Sequence, residues 1–160
     1  MPSSGNPKEN TIYQHILIPT DGSALSSKAV KDGVALAQAL GAKVTFFTAT
    51  SPFSSIGDLD HAFAGVPELV RQQALSYLES EARNALAAAS AAAAAAGVEA
   101  GTFMTESNEP YEAIIAAAKS KGADLIFMAS HGRRGVKAVI LGSVTQKILT
   151  HTELPVLVCR

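Results

Sequence analysis

Two short apolar segments of this 160-residue chain each lead into small, hydroxyl-bearing and charged residues of the kind that bind phosphate. Residues 15–18 lead into Pro19, Thr20, Asp21, Gly22 and Ser23. Residues 124–129 lead into Ser130, His131 and Gly132, and Gly142 and Ser143 open the next helical pattern. A glycine lets a ligand approach the backbone closely, and a helix amino end offers free N–H groups and a positive dipole end to an anion. The pattern therefore predicts a phosphate site, with hydroxyl donors from Ser143 and Thr145.

Several of these residues also have a purely structural interpretation. Asp21 and Ser143 are residue types that cap helices, and Met128 is of a type common in protein cores. We interpret His131 as a hydrogen-bond donor to phosphate rather than a base, because the sequence shows no partner for it. Cys159 is interpreted as a small buried residue and not as a nucleophile.

The common phosphate-binding fingerprints are absent from the sequence. There is no G-x-x-x-x-G-K-S/T segment, and no G-x-G-x-x-G follows the first apolar run. These absences exclude a P-loop nucleoside triphosphatase and weigh against a dinucleotide-binding domain. No carboxylate cluster offers a metal cage, so we predict no protein metal ligands. No well-placed base is evident either, so we assign no catalytic residue.

Strand-like and helix-like patterns alternate along the chain and must position these residues. Strands are predicted over residues 15–18, 43–49, 98–104, 124–129 and 155–158, and helices over residues 24–40, 67–96, 110–121 and 142–149. We expect residues 1–11 to be a disordered tail, residues 12–160 to form one domain, and residues 51–65 to be a long loop.

This βαβ alternation predicts an α/β fold, a doubly wound parallel sheet with helices on both faces. Ligands bind such sheets beyond the carboxyl ends of the strands, where the winding reverses. If the first and fourth strands are neighbours, the two phosphate-type segments face one crevice.

Composition narrows the function classes further. The net charge of -1 argues against a general nucleic-acid binder or a polybasic membrane binder. One cysteine excludes an intramolecular disulfide. The alanine tract at residues 85–96 is too short to cross a bilayer, and residues 1–10 lack the apolar stretch of a signal peptide. We therefore expect a cytoplasmic protein with no membrane or nucleic-acid partner.

Three spaced motifs resemble the universal stress protein family. Gly132, nine residues, and then Gly142 and Ser143 are similar to that family's nucleotide motif, G-x-x-G, nine residues, then G-S or G-T. Ala129 stands at the position of the motif's first glycine. Residues 15–23 resemble the family's opening, and residues 154–158 resemble its ending.

The resemblance implies a Rossmann-like five-stranded sheet in the order 3-2-1-4-5, and a bound adenine nucleotide, ATP. It further implies Mg²⁺ held through the phosphates, and a homodimer joined through the C-terminal edge strand. The implied contacts fall into two groups along the nucleotide. The adenosine side is implied for Pro19, Thr20, Asp21, Val44 (through its backbone), Met128 and Ala129, and the phosphate side for His131, Gly132, Gly142, Ser143, Val144 and Thr145.

Two classes of function remain open from the sequence. The first is a small regulatory module of the stress response whose nucleotide occupancy alters a surface. The second is a slow ATPase or phosphotransferase, for which Arg133 or Arg134 would stabilise transferring phosphate but no good base is evident. A nucleotide-free dimerisation module is a third alternative, because Ala129 replaces a motif glycine.

Overall fold

Five strands alternate with four helices in a computed structural model of the chain, which describes residues 12–50, 65–132 and 140–160. In chain order the elements are β1 (His15–Pro19), α1 (Ala24–Leu40), β2 (Lys43–Thr50), α2 (Glu68–Ala95), β3 (Ala100–Glu106), α3 (Pro110–Lys121), β4 (Leu125–Ala129), α4 (Ser143–His151) and β5 (Val156–Cys159). All strand pairs are parallel, and the sheet order is β3-β2-β1-β4-β5. The predicted fold class and strand order are confirmed.

The helix boundaries follow the predicted start and stop residues. Ser23 caps α1, and Gly41 ends it with a φ of 65°. Pro110 is the first residue of α3, and Gly122 ends that helix with a φ of 69°. A left-handed residue after a helix is most easily supplied by glycine, because glycine has no Cβ to clash with the backbone.

The sheet separates two apolar clusters. On one face, Ile16, Ile18 and Phe46 pack with residues of α1 and α2. On the other face, Leu17 and Phe47 pack with residues of α3 and α4. Neighbouring residues of a strand point to opposite faces, so the continuous apolar run of β1 supplies both clusters, as expected of a strand covered on both sides.

The third strand begins two residues later than its sequence pattern predicts. Val98 is buried, but its N–H donates to the carbonyl oxygen of Ala93 at 2.9 Å. That bond makes Val98 part of the turn that closes α2, so β3 starts only at Ala100. The alanine tract forms the end of α2, where Ala89 and Ala93 are buried against the sheet.

Some predictions fall on residues outside the described ranges. They are the disordered tail at residues 1–11, most of the long loop at residues 51–65, and the basic residues Arg133 and Arg134. Within the described residues, no helix combines the length and apolar character needed to cross a membrane.

Candidate functional site

The carboxyl end of β1 is held between β2 and α1 by a network of hydroxyl groups. Thr20 is buried, and its N–H donates to the carbonyl oxygen of Phe47 at 2.8 Å. The hydroxyl of Thr48 donates to the carbonyl oxygen of Thr20. The hydroxyl oxygens of Thr20 and Ser26 are 3.2 Å apart. The backbone at Pro19 and Thr20 is therefore fixed by neighbours on both sides.

Asp21 follows directly and faces the loop after β4. Its Oδ1 accepts the N–H of Ser23 at 2.9 Å, and a Cβ placed on Gly132 would lie only 2.7 Å from its Oδ2. Ser23, not Asp21, caps α1, because its side chain accepts the N–H of Ser26. The capping interpretation of Asp21 is therefore wrong, and the carboxylate lies where the predicted crevice opens.

The carboxyl end of β4 brings a histidine to the same place. Ser130 is buried, and its N–H donates to the carbonyl oxygen of Cys159 at 2.8 Å. Its Oγ lies 3.0 Å from Nδ1 of His131. The Nε2 of His131 is buried and has no hydrogen-bond partner among the described residues. Gly132, the next residue, is exposed.

The amino end of α4 meets the end of β4. The N-cap residue is Gly142, which donates its N–H to the carbonyl oxygen of Ser130 at 2.8 Å. A Cβ on Gly142 would lie 3.1 Å from that oxygen and 3.4 Å from Cα of His131. A side chain on Gly142 would therefore press on the other backbone segment and force one of the two to move.

The two helices that begin near the crevice differ in their capping. The first turn of α1 is capped by Ser23, whereas within the described chain no side chain caps α4. Ser143 is the first residue of α4 and is exposed, so it is not the N-cap that the structural interpretation required. The N–H groups of the first turn of a helix have no intrahelical partner. The amino end of α4, at Ser143 and half-buried Val144, can therefore receive an anion.

Thr145 has a different role from the predicted one. Its side chain is buried, and its hydroxyl lies 3.2 Å from the carbonyl oxygens of both Ala129 and Ser130. A carbonyl oxygen only accepts hydrogen bonds, so the hydroxyl proton points to the protein and not to a ligand. Thr145 fixes α4 to the end of β4.

Two residues implied for the adenosine side lie elsewhere. Val44 is opposite Ile16 near the amino end of β2, and its N–H donates to the carbonyl oxygen of Glu99 at 2.9 Å. This is the end of the sheet opposite to the crevice, so the assignment of Val44 is wrong. The Met128 side chain is buried in the cluster on the α3 and α4 face, so it belongs to the core.

Sequence reasoning missed three hydroxyl residues that build the site. Thr48 and Ser26 hold the end of β1, and Ser130 contacts both β5 and His131. Ser130 had a visible signal, since it directly precedes His131 in the glycine-rich segment. Thr48 and Ser26 had none, because their importance depends on the register of β2 and the packing of α1.

The groups described at the ends of β1 and β4 are hydrogen-bond donors and acceptors. The described parts of the chain contain no group of three His, Cys, Asp or Glu residues able to hold a metal ion. Burial raises the pKa of the Cys159 thiol, which disfavours the thiolate that a nucleophile requires. The donors of α4 and His131 suit phosphate oxygens, which only accept hydrogen bonds from them, and the Asp21 carboxylate suits the hydroxyl groups of a sugar.

Comparisons with known proteins place the chain in one family. The model of the universal stress protein family matches residues 12–160. A universal stress protein of Methanocaldococcus jannaschii is 32% identical over 151 residues, which cover 93% of this chain and 83% of that protein.

Two solved structures share the fold. A universal stress protein in complex with cAMP has a TM-score of 0.63 at 24% identity, over 92% of this chain and 97% of its own. One from Archaeoglobus fulgidus in complex with dAMP has a TM-score of 0.66 at 16% identity, over 93% of this chain and 99% of its own.

Proposed function

This chain belongs to the universal stress protein family, and from that premise we propose that it binds ATP in the crevice between the ends of β1 and β4. The observation that carries the proposal is the amino end of α4, which no described side chain caps, beside the Nε2 of His131, which has no hydrogen-bond partner within residues 12–50, 65–132 and 140–160. A buried nitrogen without a partner is costly, and a phosphate oxygen would satisfy it. Two fold relatives in complex with cAMP and dAMP support an adenine nucleotide as the ligand class.

The phosphates would lie against the amino end of α4 and the loop after β4. The N–H groups of Ser143 and Val144, the Ser143 hydroxyl, the Nε2 of His131 and the backbone of Gly132 would hold them. Gly142 contributes by its small size, because its backbone is already in contact with Ser130. Thr145 would act by holding this helix end in place.

The adenosine would lie toward the end of β1. The Asp21 carboxylate is suited to accept hydrogen bonds from ribose hydroxyls, as an acidic residue does in other nucleotide-binding α/β sheets. Pro19 and Thr20 would line this end through the backbone that Thr48 and Ser26 hold. The methyl group of Ala129 packs into the α1 and α2 cluster, so we do not expect it to obstruct the ligand.

Mg²⁺ would be held through the phosphates and water. The proposed role is that of a small cytoplasmic regulatory module of the stress response.

The sheet edge supports a proposed homodimer through β5. In that strand Leu157 is 39% exposed, and Val156 and Val158 are half-buried. On sedimentation, Leu157→Lys should convert a dimer into a monomer, and a wild-type monomer would contradict this part of the proposal.

Titration calorimetry with Mg²⁺ and ATP tests the nucleotide proposal. The wild-type protein should bind ATP, and Gly142→Val should abolish the binding because its side chain would push the start of α4 away from Ser130. Gly101→Val is the matched control, since a Cβ at Gly101 meets no atom within 4 Å. Absence of binding by the wild type at millimolar ATP, or unchanged binding by Gly142→Val, would refute the proposal.

A further inference from the structure

The contact between Ser130 and His131 indicates which ring nitrogen of His131 carries the proton. The Ser130 Oγ lies 3.0 Å from the Nδ1 of His131. Ser130 is 3% exposed, so water does not readily reach its hydroxyl. Among the described residues, Nδ1 is the one hydrogen-bond partner of this hydroxyl proton, and Nε2 on the other side of the ring has none.

Two arrangements of the protons are possible for a neutral imidazole. If the hydroxyl of Ser130 donates to Nδ1, the ring proton is on Nε2, and one donor is left without a partner. If Nδ1 carries the proton and donates to Oγ, the serine proton and the Nε2 lone pair are both left without partners. Each unpaired buried polar group carries a desolvation penalty, so the first arrangement is favoured.

We propose that Ser130 is a positioning residue that holds His131 in the tautomer with its proton on Nε2. This inference rests on the proposed nucleotide site and identifies how His131 serves it. The Cδ2 atom, which is bonded to Nε2, lies 3.8 Å from the position that a Cβ on Gly142 would occupy. The Cδ2 edge of the ring therefore faces the amino end of α4, and the Nε2 proton would be donated to a phosphate oxygen bound there.

The other end of α4 provides an internal comparison. His151 also follows a hydroxyl residue, and the Thr150 Oγ1 lies 2.8 Å from its Nδ1. That Nδ1 is also 2.8 Å from the carbonyl oxygen of Lys147. A carbonyl oxygen can only accept, so the proton of neutral His151 must be on Nδ1. The two histidines are expected to be opposite tautomers.

Nitrogen-15 NMR of the ligand-free wild-type protein, at a pH where both rings are neutral, tests the tautomers directly. The proton should be on Nε2 of His131 and on Nδ1 of His151. Ser130→Ala should remove the preference at His131 and leave His151 unchanged, whereas Thr150→Ala should alter neither ring. A proton on Nδ1 of His131 in the wild type would overturn the proposal, and this measurement needs no variant.

Calorimetry then tests the consequence for binding. Ser130→Ala should weaken ATP binding by about three- to tenfold, the effect of one hydrogen bond, and should leave adenosine binding unchanged because adenosine has no phosphate. Thr150→Ala should change neither affinity. Equal ATP affinities of Ser130→Ala and the wild type would overturn the role of Ser130 while the nucleotide site stands. A wild type that binds no ATP would instead overturn the proposed function, whatever the tautomers are.

Discussion

Thr145→Val separates a residue that holds the site together from one that contacts phosphate. Valine has nearly the shape of threonine but lacks the hydroxyl. The substitution therefore removes the 3.2 Å contacts with the carbonyl oxygens of Ala129 and Ser130 and leaves the buried position filled.

The expected loss of stability follows from these contacts. One hydroxyl proton is shared between two acceptors, and a hydrogen bond contributes about 0.5–1.5 kcal/mol net. The Ser130 oxygen keeps the N–H of Gly142 at 2.8 Å, but the Ala129 oxygen loses a donor. We expect the free energy of unfolding to fall by about 1–2 kcal/mol. In a chain of this size that is a decrease in Tm of about 2–8 °C.

Thermal unfolding, monitored by circular dichroism, measures the change in Tm. Calorimetry on the same samples measures the ATP affinity. Thr150→Val is the matched control. Its hydroxyl also contacts main-chain carbonyl oxygens of the same helix, at 3.0 Å and 3.1 Å, but on the exposed side. Surface substitutions usually change stability by less than about 0.5 kcal/mol, so its Tm should stay close to that of the wild type.

One result would refute the structural role of Thr145. If Thr145→Val kept the wild-type Tm within about 1 °C but bound ATP much more weakly, the Thr145 hydroxyl of the wild-type protein would contact the phosphate directly. The prediction made from the sequence would then be right, and the hydrogen bonds to Ala129 and Ser130 would not stabilise the fold.

Three further predictions concern the core and two titrating groups. Gly33→Ala should lower the free energy of unfolding by about 1–3 kcal/mol, because its Cβ would lie 2.6 Å from Cδ1 of the fully buried Ile18. Chemical denaturation measures this change. An increase in the free energy of unfolding, which helix propensity alone would give, would contradict the packing. Burial holds the pKa of His15 below its ordinary value, so the unfolded chain protonates first as the pH falls. Stability should therefore fall below about pH 6.5, and urea unfolding should show that His15→Gln flattens this part of the profile; an unchanged profile would contradict burial of the neutral ring. Because burial raises the pKa of Cys159, its reaction with a disulfide reagent at pH 7 should be slower than that of free cysteine, and an equal rate would count against burial of the thiol.

The sequence determined the fold class, and it predicts where the crevice lies. The two-residue period of strands and the 3.6-residue period of helices are local properties, so the alternation of elements could be predicted almost to the residue. Parallel winding then brings the ends of β1 and β4 to one edge of the sheet, which is where Asp21 and Gly132 meet. The strand pattern was ambiguous at Val98. The hydrogen bond from its N–H to the carbonyl oxygen of Ala93 places Val98 in the turn after α2, so β3 starts later.

Only the tertiary structure decided which of the predicted side chains lie at the ends of β1 and β4 and which groups they contact. Val44 lies at the far end of β2 because strand register, which depends on pairing with β1, sets its level in the sheet. Thr145 and Ser130 are both small hydroxyl residues near glycines, yet one binds the backbone of β4 and the other binds His131. The direction of a hydroxyl depends on which donors and acceptors surround it after three elements have packed together, and no local sequence pattern contains that information.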